Sequence, residues 1–218
     1  MHARLSAVLA AALVAGLSVG AADAAVKKPK PKPVPPVCNL VKDGPGDGKG
    51  LGGGSDDQTD LISADVASDA KNITAVMRMK AAPVGDDQNS PVGKLYTFSF
   101  TAGKAGNVYL QARMTRLGGA AFSANAGSKS SFKTGSATGS FTGTDIRITV
   151  PVATLGIAGS LKPGSPFTEL SALVNVMTTS SAGIPGADDS LTGTTTGDDA
   201  AAGKATIYTA GAKSCVTP

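Results

Sequence analysis

Alternation with a period of two residues constrains this chain more than any other feature. In Asn72–Lys80 (NITAVMRMK), Ile73, Ala75, Met77 and Met79 alternate with Thr74, Val76, Arg78 and Lys80. Leu95–Thr101 (LYTFSFT) sets Tyr96, Phe98 and Phe100 against Leu95, Thr97 and Ser99. Asn107–Thr115, Asp145–Val150 and Phe167–Met177 repeat the pattern with Val, Leu, Ile and Ala on one side. Successive side chains of a strand point to opposite faces, so each segment reads as a strand with one buried face. Asp60–Val66, Ala121–Ala126, Ser130–Lys133, Gly139–Thr142 and Ala205–Ala210 are shorter candidates. The Gly-bounded break at 103–106 is short enough to join Leu95–Thr101 and Asn107–Thr115 as a hairpin. Pro151–Leu155 interrupts the alternation and is expected to form one helical turn, closed by Gly156. These elements predict an all-β fold: an antiparallel, immunoglobulin-like β-sandwich of about 8–10 strands. A closed barrel is the other architecture such patterns allow.

The composition agrees. Glycine is abundant at 28 residues, and the acids are 15 Asp against one Glu, Glu169. Asp favours turns because its short side chain bonds the local backbone, and neither Gly nor Asp favours helix interiors.

Three regions are expected: a secretory signal at 1–25, a Pro/Lys arm at 26–37, and one domain at 38–218. Arg4 supplies a positive start, Leu5–Val19 an apolar run, and Ala22-Asp23-Ala24 a small-x-small cleavage pattern. The apolar run is too short to cross a bilayer comfortably, and no transmembrane segment is expected beyond it. The arm (VKKPKPKPVPPV) favours an extended polyproline conformation. It serves as a stiff spacer or as a basic arm toward an anionic envelope. The net charge of +4 resides there: from Cys38 onward Lys and Arg equal Asp and Glu at 15 each. A neutral domain lacks the electrostatic basis for nucleic-acid binding.

Export places the two cysteines, Cys38 and Cys215, in an oxidising compartment, where they are expected to pair. Export also removes the sole histidine, His2, and the chain has no Trp. Ser-His-Asp and Cys-His catalysis and His-ligated zinc or haem are therefore not available to the mature chain.

Several pieces in order carry a family resemblance. They are Asp43 and Asp47 in a Gly-rich loop, then Asp60-Leu61-Ile62-Ser63-Ala64-Asp65-Val66, the strand Asn72–Lys80 and the aromatic strand Tyr96–Phe100. Last comes Val150-Pro151-Val152-Ala153-Thr154-Leu155-Gly156 with Lys162-Pro163-Gly164. This order resembles bacterial secreted domains of the DOMON-like and family 9 carbohydrate-binding-module-like group. The resemblance implies a β-sandwich and a ligand among sugars, haem or calcium. Sugar binders of that group use Trp, and haem binders use Met with His. Here Met77, Met79, Met114 and Met177 fall on strand patterns and read as core.

Asp43, Asp47, Asp56, Asp57 and Asp60 crowd into an 18-residue stretch around Gly. Hard oxygen ligands on an adaptable loop suit Ca²⁺, and Asp43, Asp47 and Asp60 are the expected ligands. The spacing fits no EF-hand, and a solvated loop of Asx turns accounts for the same residues. Asp86-Asp87, Asp188-Asp189 and Asp198-Asp199 read as solvated turns. Gly48–Gly53 matches G-x-G-x-x-G without the required strand and helix, and Ser130–Gly135 superposes S-x-x-K on K-T-G at one lysine; both are chance matches.

The expected function is a secreted, non-catalytic binding module acting at or near the cell envelope, as a monomer, on a glycan or a surface protein. Tyr96, Tyr109 and Tyr208 are the aromatic candidates for a sugar. A structural secreted scaffold without a small ligand is the competing reading, and a carboxylate hydrolase a third.

Overall fold

The structure, a computed structural model, describes Pro36 and residues 38–218 apart from 86–91, 104–105, 117–118, 129–130, 158–160, 181–190 and 204–205. The expected signal segment, all of the arm but Pro36, and the Asp86-Asp87 and Asp188-Asp189 pairs lie outside the described residues.

Among the described residues, twelve strands and one short helix follow in order: β1 (Val41–Lys42), β2 (Leu61–Ser68), β3 (Asn72–Met79), β4 (Gly93–Thr101), β5 (Asn107–Thr115), β6 (Gly119–Ser128), β7 (Ser131–Ser136), β8 (Thr138–Thr142), β9 (Asp145–Pro151), α1 (Val152–Leu155), β10 (Pro166–Ser180), β11 (Leu191–Ala201) and β12 (Tyr208–Thr209). One sheet has the order β1-β2-β3-β9-β8. The other runs β11-β10-β4-β5-β6-β7, with β12 added beside β10. Every pairing is antiparallel, and the two sheets pack face to face as a sandwich. The chain passes from β7 in one sheet to β8 in the other over the single residue Ala137.

The alternating residues form the core. Tyr96, Phe98 and Phe100 of β4 face inward with Val108 and Leu110 of β5 and Ile146, Ile148 and Val150 of β9. Phe141 of β8 reaches across to Tyr96, ring centroids 5.9 Å apart and edge-on, and to Phe122 of β6 at 5.6 Å. Phe100 and Phe167 stack at 4.3 Å. Such aromatic pairs add about 0.5–1.5 kcal/mol beyond their buried area. Met77, Met79 and Met177 are buried, and Met114 packs on the core from its edge.

The β4–β5 hairpin forms in the expected register, from Gly93 opposite Thr115 to Thr101 opposite Asn107. Gly93 has φ 140°, and a side chain there would collide with the Met114 carbonyl of β5. The helical turn also forms, and Gly156 closes it with φ 68°.

The Gly/Asp stretch before Asp60 follows β1 and is held by bonds to other segments. Two expectations need correction. Leu191–Ala201, which lacks apolar alternation, is a long strand at the sheet edge. The last strand shrinks to Tyr208–Thr209. Strand β3 is covered on both faces, because Val216 of the C-terminal tail sits on Ala67 and Val76. No helix among the described residues is long and apolar enough to cross a membrane.

Cys38 and Cys215 form a disulfide, with Cα atoms 5.3 Å apart and a sequence separation of 177. It joins the segment leading into β1 to the tail that lies on β2 and β3. Closing so long a loop restricts the unfolded chain and contributes on the order of 4–5 kcal/mol in the chain-entropy treatment. Denaturant titration with and without dithiothreitol is expected to show a loss of that order on reduction; coincident unfolding curves would contradict it.

Candidate metal centre

The candidate site is built by the stretch between β1 and β2 and by the edge strand β11. Asp43 follows β1 directly, and its N–H donates to the Ile62 carbonyl at 3.1 Å, prolonging the β1–β2 pairing. Its Oδ1 accepts from Gly44 N–H at 2.8 Å. Four residues on, across the turn containing Pro45 and Gly46, lies Asp47. From β11 comes Asp198, which accepts the Leu61 N–H at 2.7 Å. The three carboxylates approach so that one oxygen from each lies within 4.8 Å of the others. Asp198 is buried, Asp43 half-buried and Asp47 exposed, so the cluster opens to solvent on the Asp47 side.

The loop is pressed onto β11 by further bonds. Lys49 N–H donates to the Gly197 carbonyl at 2.8 Å, and the Thr59 side chain packs against Gly197, while its hydroxyl donates to the Asp56 carbonyl within the loop at 2.9 Å. Gly48 lies directly against the Asp60 backbone, where a Cβ would not fit.

The electrostatics follow from crowding of like charge in a partly dry place. Burial pushes the Asp198 carboxyl from its ordinary 3.8 to about 7, with the Asp43 and Asp47 charges adding to the rise and the Leu61 N–H opposing it. Burial likewise raises Asp43. The Asp47 and Asp60 charges add to that rise, while the Gly44 N–H and the neighbouring Asp198 carboxyl oppose it. Asp43 Oδ2 is sheltered from solvent and has no hydrogen-bond partner. A hard divalent cation bound by oxygen answers both conditions, since it neutralises the excess charge and occupies the open lone pairs.

Two of the three expected ligands, Asp43 and Asp47, converge. Asp60 does not join them within that distance. It is fully buried, accepts the Gly46 N–H at 2.7 Å and pairs with Lys80 at 3.2 Å, so it shapes the loop from beneath. The third carboxylate is Asp198, which had read as a solvated turn; it stands in a strand, buried. The paired acids of GDDA gave no local sign of this, because the partner loop lies some 150 residues earlier in the chain.

The remaining candidates have other surroundings. Tyr96 is wholly buried, and its hydroxyl donates to the Gln58 carbonyl at 3.4 Å. Tyr208 is also buried; its hydroxyl accepts from Ser68 N–H and donates to the Ala212 carbonyl, both at 3.0 Å. Neither ring is open to a ligand. Tyr109 is half-exposed on β5. Gly48–Gly53 lies in the loop between β1 and β2, and the next element is a strand, which a phosphate-binding loop does not precede.

No protein-family model, curated protein or solved structure matches this chain significantly.

A folded-state pKa above the unfolded value means that the folded chain holds the Asp198 proton more tightly. This contribution to stability is complete below the unfolded value of 3.8 and is lost as pH rises through about 7. In metal-free buffer, melting temperature is expected to fall more steeply between about pH 5 and about pH 8 for the wild type than for Asp198→Asn. Parallel pH profiles for the two proteins would refute the assignment.

Proposed function

We propose that this chain is an exported, non-catalytic binding module whose early loop is locked to β11 by a calcium ion. The convergence of Asp43, Asp47 and Asp198 carries the reading. Oxygen-only donors favour a hard cation. A Gly-rich loop with an adaptable backbone suits the larger, more flexible coordination of Ca²⁺ over the strict octahedron of Mg²⁺. The ion would neutralise a cluster of like charges that otherwise repel, and would hold a segment of chain with little sheet pairing of its own.

Export and action at the cell envelope rest on the signal-like start, the Pro/Lys arm and the disulfide. Membership of the DOMON-like and carbohydrate-binding-like group is part of the proposal, and the two-sheet architecture is compatible with it. A non-catalytic role is supported by the composition, because the only histidine is His2. The ligand is a glycan or a surface protein of the envelope.

Thermal melts with Ca²⁺ and with EDTA test the metal. At about 100 times the dissociation constant, binding to the folded state alone adds about 2.7 kcal/mol. That corresponds to a rise of about 5–10 °C for a domain of this size. Asp198→Asn is expected to abolish most of the rise. Equal melting temperatures in Ca²⁺ and EDTA would end the calcium reading. Retention on cell-wall fractions tests the binding role, and a chain retained on none of them is a scaffold.

A further inference from the structure

The outer face of the larger sheet carries a second constellation that uses none of the metal-site residues. Glu169, the only Glu of the chain, has φ 54°, a left-handed conformation that side chains rarely adopt. Its place in the ladder explains why. Thr168 pairs with Thr101 and Ser171 with Ser99, so Glu169 and Leu170 of β10 together oppose Phe100 of β4. This is a β-bulge, and it re-aims a side chain. Leu170 stays in the core while Glu169 joins Thr168 on the outer side. Without the bulge, alternation would turn the Glu169 carboxylate toward the stacked rings of Phe100 and Phe167. Backbone strain of this kind, as at Glu169, clusters at functional sites.

Around Glu169 lies a recess of 170 Å³, lined by Ser99, Phe100, Thr101, Asn107, Tyr109 and Glu169. The Thr101 hydroxyl stands 2.7 Å from Glu169 Oε2 and 2.9 Å from Asn107 Oδ1. It has one proton, so in this arrangement it satisfies only one of these two acceptors. Asn107 Nδ2 donates to the Tyr109 hydroxyl at 3.4 Å. The Glu169 carboxylate disfavours phosphate and other anions there, and the described residues that line the recess include no Lys or Arg. A carboxylate, an amide, a phenol and two hydroxyls together match a ligand that offers many hydroxyl donors, with the half-exposed Tyr109 ring as a platform for its C–H face.

We propose that this recess binds a neutral, polyhydroxylated ring, one unit of an envelope glycan, with Glu169 and Tyr109 as the recognition residues. The proposal rests on the binding-module reading and gives that module its ligand class and its surface. It does not depend on calcium.

Native affinity electrophoresis of the full chain through gels containing laminarin, xylan or glucomannan, with polygalacturonate as the acidic control, tests it. Retardation by at least one neutral polymer is expected. Tyr109→Ala and Glu169→Gln are each expected to weaken it about tenfold or more, while the calcium-dependent rise in melting temperature persists. Glu169→Gly is the sharper variant. Glycine accepts φ 54° without strain, so melting temperature is expected to hold or rise while retardation is lost. Variants retarded as strongly as wild type would overturn the recess and leave the module reading intact. Retardation by polygalacturonate alone, or by no polymer, would overturn the recess as well, and cell-wall retention then judges the module separately.

Discussion

All four aspartates that are buried among the described residues accept a backbone N–H, and all four N–H groups belong to one stretch of chain. Asp65 takes the Leu40 N–H at 3.0 Å, Asp60 that of Gly46 at 2.7 Å, Asp56 that of Gln58 at 2.9 Å and Asp198 that of Leu61 at 2.7 Å. Between Leu40 and Leu61 the sheet supplies little pairing, and these carboxylates stand in for the absent strand. A bond to an ionised acceptor contributes about 1.5–3 kcal/mol, and a buried N–H left open costs a similar amount. The preference for Asp over Glu follows, since the shorter side chain brings its oxygens close to the backbone.

Three of these four carry a cation as well: Arg78 for Asp65 at 2.7 Å, Lys80 for Asp60 at 3.2 Å and Lys94 for Asp56 at 3.5 Å. Asp198 has no ion-pair partner among the described residues, and it is the one that meets two further carboxylates. Among the described residues, buried aspartates have a cation beside them everywhere except at this junction. That contrast supports a bound cation better than the number of acids does, because acidic loops are common and an uncompensated buried carboxylate is not.

The sandwich was legible because its core strands alternate. Phe98, Leu110, Ile148 and Val174 lie on the faces that period-two reading assigned, and the β4–β5 hairpin was visible in its short Gly-bounded turn. Strand β11 was not legible, since Thr, Gly and Asp at a sheet edge bury little apolar surface and leave no periodic trace. The candidate site was half legible for the same reason. Asp43 and Asp47 share a local loop, whereas Asp198 reaches them only through pairing of its strand with β10. Asp60 looked equivalent to its neighbours in sequence, and only the fold turns it inward toward Gly46 and Lys80. The outward turn at Glu169 was hidden too, because a bulge is a break in alternation that neither Thr168 nor Leu170 announces.

The disulfide also fixes how the domain answers to force. Cys38 and Cys215 enclose both sheets within one covalent loop. Tension applied between a point before Cys38 and a point after Cys215 runs through the two sulfur atoms and bypasses the strands. The chain between the two cysteines then bears no load and releases no length, so a domain held at the end of its Pro/Lys arm would act as an inextensible link.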